Sequence, residues 1–151
     1  MFAKAYGLED SPDTEVGEAI DAEEINIFEA GDPTSRKLQY AVFFDERLAI
    51  RSVSQLYEAV FRRLFSLRPE LFFSTDVGAQ IKLTEIGMKK IVIQPASVAD
   101  AYVIEACLNS RGKFDRIKYA LSVFGFEDKL RVKYAQQIKL IDSDVLLAEL
   151  D

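Results

Sequence analysis

Between Ser52 and Pro69 the apolar residues Val53, Leu56, Tyr57, Val60, Phe61, Leu64 and Phe65 recur with helical period, so one face of this segment must be buried against another layer. Ser52 followed three residues later by Gln55 has capping-box spacing, which fixes where the helix begins. Pro69 fixes where it ends, because the residue before a proline is pushed out of helical dihedrals; Pro69-Glu-Leu-Phe-Phe73 then forms one further turn. A stripe this wide must face a sheet.

The run Leu38-Gln-Tyr-Ala-Val-Phe-Phe44 is aromatic and β-branched, and Asp45-Glu46 separates it from Leu48-Ala-Ile-Arg51, which predicts a β-hairpin. Ile81 and Leu83 predict a short strand, residues 89–94 a better one closed by Pro95, and residues 101–107 a strand apolar on both faces and therefore central. Asn109 or Ser110 caps a second helix with the stripe Phe114, Ile117, Leu121 and Phe124, and Gly125 stands where a left-handed terminating residue is expected. Residues 129–134 alternate strictly, with Leu130, Val132 and Tyr134 on one face and Lys129, Arg131 and Lys133 on the other. A short helix is predicted over residues 144–150. The order β-β-α-β-β-β-α-β, without repeated βαβ units, predicts an α+β domain with a mainly antiparallel sheet and two packed amphipathic helices.

Charge divides the chain in two. Residues 1–36 hold ten acids against Lys4 and Arg36, leaving about +2 for the remainder of a chain whose net charge is -6. The acidic stretch reads as a flexible N-terminal tail, and residues 37–151 as a single domain. Ile25, Ile27 and Phe28 interrupt the acids and are the candidate partner-binding residues, able to dock on the domain or on another chain as a short strand or turn.

The residue inventory excludes much chemistry. There is no histidine, and Cys107 is the only cysteine, so the usual neutral-pH proton shuttle and cysteine metal clusters are ruled out. Without a histidine base, Cys107 reads as a small buried apolar residue. Glycines are scattered, with no phosphate loop. Glu127-Asp128-Lys129 is the only local acid-x-lysine pattern near a strand, and no partner acid accompanies it, so a metal-dependent nuclease is disfavoured. No catalytic residue, cofactor or metal is expected. The first residues show no secretory leader and no apolar run is long enough to span a bilayer, so the expectation is a cytoplasmic protein without membrane contact.

Two basic groups are candidate phosphate or anion contacts. Arg111, Lys113, Arg116 and Lys118 fall in the first turns of the second helix, where free amides and the dipole favour anions. Lys129, Arg131 and Lys133 stand about 7 Å apart along one strand face, close to a nucleic-acid backbone repeat. The competing readings are a solvated helix surface and an edge strand guarded by charge. Glu105 puts a carboxylate on a partly apolar strand face, as a ligand-facing acceptor or as an acceptor of hydrogen bonds near the helix start.

The hairpin ending Ile50-Arg-Ser52 before a helix, the strand Tyr102-Val-Ile-Glu-Ala-Cys-Leu-Asn-Ser110 and the helix exit Phe124-Gly-Phe-Glu-Asp-Lys-Leu-Arg-Val132 together resemble a module at the carboxy-terminal end of restriction-associated and phage-defence proteins, including ones with ParB-like nuclease domains of the GmrSD type. The resemblance spans residues 37–134. It departs at Val53, where that module has tryptophan, and at Ala106-Cys107, where a Thr-Asn pair is common. It implies a non-enzymatic accessory domain of a DNA-targeting system that binds DNA or a nuclease or defence protein subunit. The alternative is a protein-interaction or oligomerisation domain, a homodimer included, with no nucleic-acid contact.

Overall fold

The computed structural model describes residues 23–88 and 92–136. The chain is an α+β fold with two antiparallel sheets. Strands β1 (Glu24–Asn26), β2 (Leu38–Phe43), β3 (Glu46–Leu48) and β7 (Leu130–Tyr134) form one sheet in the order β1-β7-β2-β3; β4 (Thr84–Glu85), β5 (Pro95–Ala99) and β6 (Tyr102–Glu105) form the other in the order β4-β6-β5. Helix α1 (Val53–Leu67) packs against β5, β2 and α4 (Ser110–Phe124). Among the described residues no helix is long and apolar enough to cross a membrane.

The predicted helices form where their caps put them. Ser52 Oγ accepts from the Gln55 amide at 3.1 Å, and Gln55 Oε1 accepts from the Arg51 amide at 2.7 Å, so the side chains at the start of α1 satisfy two otherwise orphaned donors. The whole stripe from Val53 to Leu64 is buried. Asn109 Oδ1 accepts from the Gly112 amide at 2.7 Å to open α4, and Gly125, at φ 79°, closes it. Beyond Pro69 the single extra turn is helix α2 (Pro69–Ser74), followed by α3 (Val77–Gln80). Gly78 of α3 lies so close to the Phe72 carbonyl that a Cβ there would collide with it, which makes glycine the fitting residue at this elbow.

Three expectations shift. Ile81 and Leu83 are buried, but in the turn after α3; the strand is Thr84–Glu85. Residues 92–94 are not strand, and 89–91 lie outside the described residues; Pro95 opens β5 instead of closing a strand before it. This placement suits proline, because β5 is an edge strand and its first residue needs no ladder N–H. Strand β7 is internal, flanked by β1 and β2, so its charges do not guard an edge. The helix predicted over residues 144–150 lies outside the described residues.

The acidic stretch is not a tail from Glu24 onward. Glu24, Ile25 and Asn26 pair with Lys133, Val132 and Arg131. Ile27 is fully buried in the core beside Leu130 and Val132, Tyr134 donates to the Ala30 carbonyl at 3.0 Å, and Asn26 Nδ2 donates to the Glu127 carbonyl at 2.9 Å. The apolar residues among the acids drive this docking, so the structured unit extends upstream of the boundary expected at residue 37. Of the three candidate partner contacts, Ile27 is core, Ile25 is half-buried against it, and Phe28 alone is exposed. Ile27→Ala should therefore lower unfolding stability by about 2–5 kcal/mol in a urea titration, as for any buried aliphatic side chain; a change within a few tenths would mean that this segment contributes nothing to the fold.

Candidate functional site

Alternation along β7 sends Leu130, Val132 and Tyr134 into the core with Phe114, Ile117 and Leu121 of α4. Arg131 and Lys133 consequently point the opposite way, onto the outer face of the four-stranded sheet. The two basic groups read from the sequence thus lie on opposite sides of the layer they share. Lys129 is exposed just before β7, in the turn where its carbonyl accepts from the Phe44 amide.

The outer sheet face gains residues that the sequence reading did not include. Strand register puts Tyr40 opposite Lys133 and Val42 opposite both Arg131 and Arg47. The Arg47 guanidinium lies 3.8 Å from the centre of the Tyr40 ring and Lys133 Nζ 5.6 Å from it, a cation–π arrangement of two cations on one ring. Glu24, one of the acids assigned to the tail, accepts from the Tyr40 hydroxyl at 2.6 Å and pairs with Arg131 Nε at 3.2 Å. Those two donors, the tyrosine first, hold the Glu24 carboxyl below its ordinary range. The face therefore carries three cations, one aromatic ring and one carboxylate that neutralises part of the charge. Strict alternation from Leu38 would have sent Tyr40 to the core; the register irregularity between Leu38 and Tyr40 puts Leu38, Ala41 and Phe43 inside and Tyr40 on this face, and the three-residue strand that brings Glu24 has no period to read.

The cations of α4 do not form one patch. Lys113 is buried between α4 and α1, where its Nζ donates to Ser54 Oγ at 3.0 Å, because position 113 falls on the same helical stripe as Phe114 and Ile117. It is unavailable to phosphate. Arg111 and Lys118 line a cavity of about 240 Å3 together with Asp32 and Asp115, so acids and bases balance there. Arg116 turns toward α3 and lines a different cleft.

Glu105 is buried, and its carboxylate closes on three backbone donors: Oε1 accepts from the Ile93 amide at 2.8 Å, Oε2 from Gln94 and Cys107 at 2.9 Å each. Burial, the largest single influence, pushes its pKa up; the three amides together with nearby Lys82 outweigh it and hold the carboxyl below its ordinary value. The carboxylate is thus consumed by the fold, as the hydrogen-bonding alternative had it. Its chain neighbour Cys107 is exposed and not buried as expected, because the strand ends at Glu105 and the backbone turns outward toward Asn109. No group of three or more histidine, cysteine or acidic residues is disposed to hold a metal among the described residues.

Compared with the models of known protein families, with curated proteins and with solved structures, the chain matches none.

Replacing Glu105 by glutamine puts an NH2 group against amide donors and should cost about 1–3 kcal/mol at pH 7. Because the folded-state pKa is lowered, the stabilisation by the carboxylate is complete above the unfolded value of about 4.3 and is lost as pH falls through the folded one. The stability gap between wild type and E105Q should therefore be constant from pH 7 to about 5 and narrow below about 4; a gap that widens in acid would contradict the ionised clasp.

Proposed function

We propose that this chain is a non-enzymatic interaction module that engages a protein partner. One observation carries the reading: large apolar side chains stand exposed at the two described ends of the connection between β4 and β5. Ile86 is 61%, Met88 63% and Ile93 70% exposed. Isolated exposed apolar residues are ordinary, but three within eight positions of a single connection, flanked by lysines in the sequence, have the composition of a contact surface. The ends of this connection are fixed, since the Ile86 amide donates to the Ala101 carbonyl at 2.8 Å and Ile93 and Gln94 are held by Glu105. A surface anchored at both ends loses less entropy on association than a free loop. The restriction and phage-defence setting, with a nuclease or defence subunit as the partner, enters this proposal through the motif resemblance alone.

A second reading, contact with nucleic acid, is favoured by Arg47, Arg131 and Lys133 around Tyr40 on the outer sheet face, the kind of basic and aromatic surface on which single strands lie. Against it stand the opposite placement of the α4 cations and the carboxylate of Glu24 within the face.

A photo-crosslinking residue substituted at Met88 and, as a control, at exposed Arg51 distinguishes the two. Partner binding through the crossover gives a discrete protein adduct from position 88 and none from position 51; equal labelling from both, or none, counts against it. For the second reading, a low-salt gel shift with single-stranded DNA should show binding that R47A/R131A weakens by about tenfold or more and that falls steeply with added salt. The protein-partner reading expects no shift.

A further inference from the structure

Between α3 and the first half of α4 lies a half-open cleft of about 380 Å3, within the usual size range of small-molecule pockets. Val77, Ile81 and Leu108 give it apolar walls, and Arg116, Asp115 and Tyr119 supply polar groups. The Tyr119 hydroxyl donates to Asp76 Oδ1 at 2.5 Å, tying α4 to the residue that precedes α3 and fixing the distance between the two sides. Gly78, locked under the Phe72 carbonyl, holds α3 against α2 from behind. The cleft is therefore preformed.

Its distinguishing group is Arg116. The Nη1 atom is sealed from solvent and has no hydrogen-bond partner among the described residues, and no ion pair among them involves this arginine. The guanidinium stands against the Tyr57 hydroxyl, close enough that its charge and hydrogen-bonding contact oppose the rise that burial imposes on the tyrosine pKa; the tyrosine proton itself is committed to the Glu105 carbonyl at 2.7 Å, and Nη1 is left without a partner. Arg116 as a whole is half-buried, but a single guanidinium nitrogen sealed from water without a partner is costly, and native structures seldom leave one so. Two other cavities among the described residues show no such deficit: Arg111 and Lys118 share one with two acids, and Arg62, in the cleft beside β5, donates to Glu58 and to the Ser97 carbonyl. Arg36 also has an unpaired buried nitrogen, but its guanidinium is stacked 3.7 Å from the Tyr134 ring centre.

We propose that this cleft binds a small carboxylate carried on an apolar body, with the carboxylate on the Arg116 guanidinium and the body against Val77, Ile81 and Leu108. One guanidinium matches one carboxylate in charge and in planar fork geometry. A phosphate dianion fits worse, because a single cation faces it and Asp115 adds negative charge at the same cleft. The site is independent of the partner-binding reading, since it lies on α3 and α4 and shares no residue with the β4–β5 crossover.

Hexanoate and hexanol, which have the same apolar chain, separate the guanidinium contribution from that of the walls. In amide NMR titrations of the wild-type chain, hexanoate should give saturable shifts at Leu108, Gly112 and Arg116 and bind about tenfold or more tightly than hexanol. Arg116→Met should abolish that preference while leaving hexanol binding in place. Should that variant not fold, the wild-type comparison stands alone, and Leu108→Trp, which fills the cleft from its half-buried rim, should remove both ligands. Equal affinity for the two probes, hexanoate shifts confined to Arg47, Arg131 and Lys133, or no saturable shift would each overturn the proposal.

Discussion

Glu105 holds three parts of the molecule with one residue. Its main-chain carbonyl accepts the buried Tyr57 hydroxyl of α1, its carboxylate gathers the amides of Ile93 and Gln94 at the end of the β4–β5 crossover, and the same carboxylate takes the amide of Cys107 just before α4. β4 and β5 flank β6 and both run antiparallel to it, so the chain leaving β4 at Ile86 re-enters the sheet at Pro95 on the opposite side of β6. A passage of this kind leaves amides without ladder partners, and a buried carboxylate with several acceptor sites is the compact way to satisfy them. An ionised carboxylate in such a position is tolerable only because every approach to it is a donor.

Legibility in the sequence followed the length of each signal. Both long helices and the β2–β3 hairpin were readable because their periodicity runs over many residues and their ends carry explicit chemistry at Ser52, Pro69, Asn109 and Gly125. β1 was legible only in outline, as apolar residues among acids able to dock as a short strand or turn; three residues give no period, and only pairing with Lys133, Val132 and Arg131 fixes them as a strand of this sheet. The position of β5 was misread because Pro95 stops most structures but opens an edge strand as readily.

The candidate site was legible as chemistry and illegible as geometry. That cations followed Ser110 was plain; that β7 alternation and the α4 stripe would divide them needed the knowledge that both elements bury toward the same core. Lys113 shows the limit most clearly, because its long aliphatic stem lets it occupy a core-facing position that a residue count alone would assign to an apolar side chain. Arg47 meets Tyr40 across the local β2–β3 hairpin, whereas Glu24, Arg131 and Lys133 reach that face only through strand pairing between segments far apart in the chain.

The pairing of β1 with β7 also sets how this unit can be joined to other chains. Glu24 and Lys133 are direct cross-strand neighbours, which puts their Cα atoms only about 5 Å apart. A host protein could therefore accept residues 23–136, which keep the core residue Tyr134, within a single surface loop without its own two loop ends being pulled apart, a grafting geometry that folds with distant termini do not permit.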